Sequence, residues 1–479
     1  TFGPSDRRHN FFKFSTAWEF SKLYQPSILT FGKIRVAYGQ AGEEPSVYSI
    51  FSGYTSPSLF SVGEKVSLGL SYNGVTGYRS DDEVSNFRIR PERRNEYEIG
   101  SDLSLLNGSL GLSATAYSAI SSDIIYDVDV IPSTGADEMT ANGASIENRG
   151  LELNINYKVI DRNKFKWNSR FIYAANKNMV LEMNGVDGEM AKNLDKNLVP
   201  SRGIAKFSEV SPGHEYAEFK VLTWARFGHG LVVDHDLNIN TEDVNIDTIS
   251  NYSWNKNDVY IASNGLPIMY SEKIWSGYAP NPDWTGSFYN EWNIGKKVQV
   301  TCLLDMSIGG HIANYTKNSL FEWGTHGETE QRYHPDFDNP DWFGYEENVS
   351  TEWGKGRFQD LLNHGHKAIG PGQDSIIAFS QNMYENYMGR NTDVINNIED
   401  ASYMKLREIS IAYNFGRSSF GFMGDPIILL RLSAQDLVTW TNYSGWDPET
   451  NMYQDRISGE DYFNQPQTWR VNLGVQLEW

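Results

Sequence analysis

Strict alternation of apolar and polar side chains, recurring from one end of the chain to the other, constrains this sequence more than any other feature. The last eleven residues show it best: Trp469, Val471, Leu473, Val475, Leu477 and Trp479 alternate with Arg470, Asn472, Gly474, Gln476 and Glu478. Successive side chains of a strand point to opposite faces, so such a segment has one apolar wall and one polar wall. Leu151, Leu153, Ile155 and Tyr157 repeat the pattern against Glu152, Asn154 and Asn156. Val298, Val300, Cys302, Leu304, Met306 and Ile308 do so again, and Phe12, Phe14, Trp18 and Phe20 mark a strand near the start. In 403–414 the phase breaks near Arg407-Glu408, which reads as a bulge or as burial on both faces.

Extended along the chain, this template predicts thirteen strands: 11–20, 29–40, 94–106, 108–121, 146–158, 164–175, 199–210, 216–228, 285–295, 297–309, 402–415, 426–438 and 467–479. The gaps between them alternate in length. Short ones include 21–28, the Asn107-Gly108 turn, 159–163, 211–215, Gly295-Lys296 and 416–425; long ones are 41–93, 122–145, 176–198, 229–284, 310–401 and 439–466. Short periplasmic turns alternating with longer extracellular loops are the layout of an outer-membrane β-barrel. Thirteen is odd, whereas bacterial single-chain barrels have an even count, so the chain reads as the C-terminal part of a barrel whose earlier portion lies before Thr1. The expected fold is therefore all-β, a transmembrane antiparallel barrel.

Composition agrees and excludes alternatives. No stretch approaches 18 apolar residues, so no transmembrane helix is expected. Aromatics reach 14% and Gly numbers 42, which suits interfacial girdles and turns. The single Cys302 rules out an intramolecular disulfide and any cysteine-built metal cluster; its place in the alternating apolar set directs it to lipid. A net charge of −20 makes nucleic acid a poor partner. That charge is concentrated: 310–401 carries 15 acidic and 6 basic residues, and 229–284 carries 8 and 2.

Several short motifs occur in a telling order. Ile34-Arg35-Val36-Ala37-Tyr38-Gly39-Gln40-Ala41-Gly42 is followed by Arg90-Pro91-Glu92, Glu98-Ile99-Gly100, Asn142-Gly143 and Asn148-Arg149-Gly150-Leu151-Glu152-Leu153. Then come Gly277 to Pro282 with Trp284, Glu399-Asp400-Ala401-Ser402-Tyr403-Met404-Lys405-Leu406-Arg407, Gln435-Asp436-Leu437 and Tyr443-Ser444-Gly445-Trp446-Asp447-Pro448-Glu449. Together they resemble the C-terminal half of SusC/RagA-type TonB-dependent outer-membrane transporters of Bacteroidetes. Asp436 departs from that pattern, which more often has Asn there, and 320–398 matches no part of it.

The resemblance implies a 22-stranded barrel with an N-terminal plug, about nine strands and a TonB-contacting segment ahead of Thr1. Residues 1–479 would then be part of one barrel domain, with extracellular loops near 41–93, 229–284, 310–401 and 439–466. It also implies nutrient import across the outer membrane of a Gram-negative bacterium, with a SusD-like surface lipoprotein as partner and outer-membrane lipid and lipopolysaccharide around the wall. An oligosaccharide or oligopeptide is the implied substrate. The alternatives are an accessory barrel of a larger envelope complex and a passive porin.

Catalytic motifs are missing: no GxSxG, HExxH or Walker loop occurs, so an enzyme is not expected. Asp234, Asp236 and Asn238 offer alternating oxygen donors like the start of a calcium loop, yet Ile239 stands where that loop needs Gly and Asn245 where it needs Glu. Calcium and an ordinary polar loop remain the two readings, and no other cofactor is expected. Trp323, Trp342 and Trp353 are the candidates for substrate stacking, set against packing of the loops on one another. Asn148, Arg149, Gly150, Glu152, Asp400, Tyr403, Asp447, Pro448 and Glu449 are expected to be structural, as a lumenal or rim hydrogen-bond network.

Overall fold

The computed structural model describes residues 8–45, 88–129, 138–183, 207–222, 273–323, 397–417, 426–452 and 459–478, with short pieces between them. Eleven long strands form one antiparallel sheet in chain order. They are β1 (Lys13–Trp18), β2 (Leu29–Glu43), β3 (Glu92–Leu105), β4 (Leu110–Asp129), β5 (Glu138–Arg162) and β6 (Phe165–Met183). The wall continues with β7 (Trp284–Ile294), β8 (Val298–Ile308), β9 (Tyr403–Arg417), β10 (Ile427–Thr441) and β11 (Arg470–Glu478).

The ladder registers turn local alternation into two chemically distinct faces. Leu473, Leu432, Ile411, Val300, Trp292, Trp167 and Ile160 stand opposite one another in a single row from β11 to β5. The adjacent row reads Asn472, Ser433, Ser410, Thr301, Glu291, Asn168 and Lys158. Paired residues share a face and neighbouring residues do not, so one side of the wall is apolar and the other polar. On the polar side the rows are knitted together, for example by Thr301 and Ser410, whose hydroxyls lie 2.7 Å apart. The apolar side stays exposed at Leu432, Leu473 and Val475, which is the surface a lipid-facing wall presents. Cys302 pairs with Asn290 and Ile409 on that apolar face, as its place in the alternation predicts.

The connections segregate by length to the two ends. Beside 19–28 and 163–164, the short end includes the 106–109 turn, closed by the pairing of Leu105 with Leu110, in which Leu106, Asn107 and Gly108 have φ of 54°, 54° and 83°. At the other end run 44–91, 184–283, 309–402 and 442–469.

Two expectations need correction. First, 199–210 and 216–228 do not enter the wall, because β6 pairs directly with β7, from Phe165 opposite Ile294 to Ala174 opposite Thr285. Their described parts, Ser208–Val210 and Glu218–Val221, instead join Arg202–Gly203 and Ile274–Trp275 in a small four-stranded sheet among the long connections. Phe207, Phe219 and Val221 are buried there against Ala313 and Ile398. Alternation reports that one face of a strand is buried but not what covers it, so a loop-borne sheet mimics a wall strand. Among the described residues the wall thus has eleven long strands rather than the thirteen expected, still an odd number. Second, 122–145 is not a long loop. β4 and β5 continue past the other strands and leave only 130–137 between them. Val128, Met139 and Ala141 bury one face of this extension. The Asn142 carboxamide pins it to the preceding segment, accepting from Arg90 N at 2.7 Å and donating to Arg90 O at 2.7 Å.

Candidate functional site

At the long-loop end of β9 the polar face carries Tyr403 and Lys405, and then the phase break occurs. Both neighbouring ladders step from Leu406 to Glu408 and leave Arg407 unpaired. The break is therefore a β-bulge, and the extra residue lets Arg407 turn to the same side as Lys405. Asp436, opposite the bulge on β10, adopts a φ of 52°, a left-handed conformation that Asp and Asn tolerate better than other side chains.

Onto these cations folds the Asp447-Pro448-Glu449 turn of the 442–469 connection. Arg407 meets Glu449 with two nitrogens, at 2.6 Å and 3.1 Å, and also reaches Asp305 Oδ2 at 2.8 Å and Asp436 Oδ1 at 3.1 Å. Lys405, only 1% exposed, places its ammonium against Glu449 and within 3.4 Å of Asp447 Oδ1. The Tyr403 hydroxyl donates to Glu449 Oε1 at 2.7 Å. Burying an ammonium is costly unless carboxylates surround it, and here two do. Burial by itself would raise the Glu449 carboxyl, but hydrogen bonds from Arg407, Lys405 and Tyr403 outweigh that and hold it at about 2. The turn keeps its own shape through Glu449 N donating to Asp447 Oδ1 at 3.0 Å and Thr450 N to Asp447 O at 3.1 Å.

A second tier lies beside it. The short strand His311–Asn314 pairs antiparallel with Ile398–Asp400 and parallel with Glu460–Asp461, so the two long connections share one small sheet. Asn314 caps the helix Tyr315–Glu322, its Oδ1 accepting from Lys317 N at 2.8 Å. Glu399 then ties three pieces together: Lys317 Nζ at 3.1 Å, Ser444 Oγ at 2.7 Å and Ser444 N at 2.8 Å. Tyr443 donates to Asp461 at 2.7 Å, and burial first, then that carboxylate, pushes the phenol well above its ordinary range. The fully buried Glu460 accepts from Phe207 N at 2.6 Å, joining the 184–283 connection to the same assembly. Chemically this is a fastening: the carboxylates are engaged by cations, hydroxyls or amides. Among the described residues no group of three His, Cys, Asp or Glu side chains could hold a metal ion.

The expected structural residues divide as follows. Tyr403, Asp447, Pro448 and Glu449 come together at the fastening, and Asp400 caps the start of β9 by accepting from Ser402 N at 2.8 Å. Asn148 and Gly150 belong to a separate polar-face group on β5: Asn176 Nδ2 donates to Asn148 Oδ1 at 3.0 Å, and Tyr117 Oη to Asn176 Oδ1 at 3.1 Å. The Tyr117 ring lies over Gly150, where a Cβ would meet it. Glu152 shares that face, opposite Thr115, whereas Arg149 points to the other face and pairs with Glu147 at 2.6 Å. Trp323 is exposed and stacks on Phe463. Trp342, Trp353, Asp234, Asp236 and Asn238 lie outside the described residues. Lys405, Arg407, Asp305 and Glu399 were not singled out as site residues. Their signal was a cation at each of positions 405 and 407 at one end of a strand, against a single carboxylate, Asp436, on the facing end of the hairpin.

The family model described as "TonB dependent receptor-like, beta-barrel" matches residues 2–300. TonB-dependent receptor P3 of Formosa agariphila is 24% identical over 96% of this chain and 41% of its own length. TonB-dependent receptor SusC of Bacteroides thetaiotaomicron is 23% identical over 39% of this chain and 18% of its own. The chain thus spans about two fifths of the length of the first of these relatives. Among solved structures, the RagAB peptide transporter is similar over all of this chain and 44% of that one, with a TM-score of 0.65 at 14% identity.

Proposed function

Because the chain belongs to the TonB-dependent receptor-like β-barrel family, we propose that it forms wall and outer rim of an importer in the outer membrane of a Gram-negative bacterium. The apolar face of the eleven-strand wall meets lipid, the polar face lines the lumen, and the long connections stand outside the cell. A SusD-like surface lipoprotein caps the opening and delivers an oligosaccharide or oligopeptide, and TonB supplies the work of opening. Similarity to SusC and likeness in fold to the RagAB peptide transporter support this reading. The observation that carries it is the pair of adjacent rows, one wholly apolar and one wholly polar, crossing seven strands. The role is transport rather than catalysis. Asp234, Asp236 and Asn238 are the proposed calcium donors in the outer region, tested by titrating calcium chloride into the protein and its Asp236→Ala variant.

The deciding experiment is purification of the full-length protein from native outer membranes, followed by mass spectrometry of what accompanies it. A surface lipoprotein in near-equal amount and a bound oligosaccharide or peptide are expected. Recovery of the protein alone, with unimpaired nutrient uptake in a strain lacking it, would overturn the importer reading.

A further inference from the structure

The lipid-facing side of the wall changes character one row above its apolar band. On β5 that band runs from Leu151 through Leu153, Ile155 and Tyr157 to Ile160. It covers about 30 Å of strand, or about 23 Å of membrane at a barrel's usual tilt of about 40°. Its top row crosses five strands as Val36, Ile99, Ala116, Leu151 and Ala175. The next row toward the long connections reads Tyr38, Tyr97, Ser118, Arg149 and Lys177. Tyr38 and Tyr97, with ring centroids 4.8 Å apart, have the place of an interfacial girdle. Arg149 and Lys177 therefore stand at the level where the headgroups of the outer leaflet begin.

A single cation at this level snorkels to water and needs no further explanation. Two placed directly opposite each other across a ladder repel unless an anion joins them, and Arg149 and Lys177 are so placed. The chain supplies only part of that anion. Arg149, its side chain 69% exposed, sends Nε and Nη2 to the same oxygen of Glu147, at 2.8 Å and 2.6 Å. Its Nη1 has no partner among the described residues. Lys177 is exposed and makes no hydrogen bond or ion pair among them. Glu215, in the turn beyond the end of the apolar row, feels the Lys177 charge without pairing to it. Arg93 lies on the same face two rows higher, opposite Ser122, and is also exposed. Over these rows of β3 to β6 the outward face thus carries three cations against Glu147, in a chain whose net charge is −20.

We propose that Arg149 and Lys177 hold a phosphate group on the headgroup of an outer-leaflet glycolipid, lipopolysaccharide, whose acyl chains run down the apolar rows beneath them. The guanidinium offers a planar fork to phosphate oxygens and the ammonium adds a point charge beside it. Continuity with the band below, where Leu151 and Ile99 are exposed, favours a phosphate carried on a lipid over one free in water. A soluble anion must also approach a strongly acidic protein, whereas a headgroup already at the girdle meets only this patch. The site rests on the outer-membrane placement of the wall and not on what the lumen carries.

The test places the full-length protein in phosphatidylcholine nanodiscs and measures by native mass spectrometry its binding of lipid A and of dephosphorylated lipid A. Wild type should prefer the phosphorylated form by roughly tenfold or more. Arg149→Gln and Lys177→Glu should each remove most of that preference. Arg431→Gln, on the polar face, should leave it unchanged. Lys177→Glu also puts opposite charges across the ladder, so it should melt no lower than wild type while losing the lipid, which separates the site from the fold. Equal binding of the two lipids, or a preference untouched by both substitutions, overturns the proposal. So does inorganic phosphate binding as tightly in calorimetry as lipid A does, which would make this a free-anion site. Those results leave the importer reading standing, whereas a protein that does not insert into the nanodiscs at all overturns the membrane placement and the site with it.

Discussion

Arg407 and Glu449 meet fork to fork, Nη2 lying 2.6 Å from Oε1 and Nη1 3.1 Å from Oε2. The arginine is the bulged residue of β9 and the glutamate belongs to the connection between β10 and β11, so the pair binds a long loop to the wall through a local irregularity. A Lys could not reproduce the two parallel bonds.

Removing the buried cation beside this pair should free the loop. Lys405→Met takes the ammonium from Asp447 and leaves Glu449 to Arg407, a loss on the order of 3 kcal/mol for a buried ion pair. That corresponds to roughly a hundredfold more loop opening. Tryptic cleavage after Arg456 in intact vesicles reads it directly: faster cutting in the variant is expected, and an unchanged rate would show that the fastening does not hold the loop.

Acid should undo the same contact late. The carboxyl of Glu449 is held at about 2, below the ordinary 4.5, so its contribution is complete above pH 4.5 and is lost as the pH falls toward 2. Thermal midpoints in detergent should therefore differ between the wild type and Glu449→Gln by a constant amount from pH 7 to 5. The difference should close below that. A gap that persists at pH 2 contradicts the assignment.

Gly150→Ala should cost about 1–3 kcal/mol, the usual penalty for overpacking, because the new Cβ drives the Tyr117 ring from its place and from Asn176. Tyr117→Ala on the same background should restore part of that loss. Heat-modified migration of the barrel on denaturing gels compares the three, and additive effects would argue against the contact.

Asp436→Asn should be nearly neutral, less than about 1 kcal/mol, since Asn tolerates the left-handed backbone and can still accept from Arg407. Asp436→Val should cost about 2 kcal/mol from the backbone alone. Equal melting of the two variants would mean that the φ of 52° is not a constraint.

Much of the wall was legible. Each of the eleven wall strands overlaps a segment predicted from alternation, the Asn107-Gly108 hairpin turn lies where expected, and the phase break at Arg407-Glu408 proved to be a bulge. At the fastening, the sequence motifs flagged Tyr403, Asp447 and Glu449, whereas Lys405 and Arg407 as their cations, Asp305 as a second carboxylate on Arg407 and Glu399 as the tie between Lys317 and Ser444 emerged only in three dimensions. Phe463 gave no signal of its own: its left-handed backbone depends on Thr316, 147 residues earlier in the chain.

The amino-acid sequence by itself determined which segments are strands with one wet and one dry face, because side-chain direction in a strand is a property of the local backbone. Tertiary structure decided which of those strands join the wall. It sent Ser208–Val210 and Glu218–Val221 to the loops, ran β4 and β5 on to a short connection, and brought Glu449 onto Lys405 and Arg407. Those outcomes depend on what covers an apolar face and which distant charges meet in the same place, and both are set only when the ladder registers close.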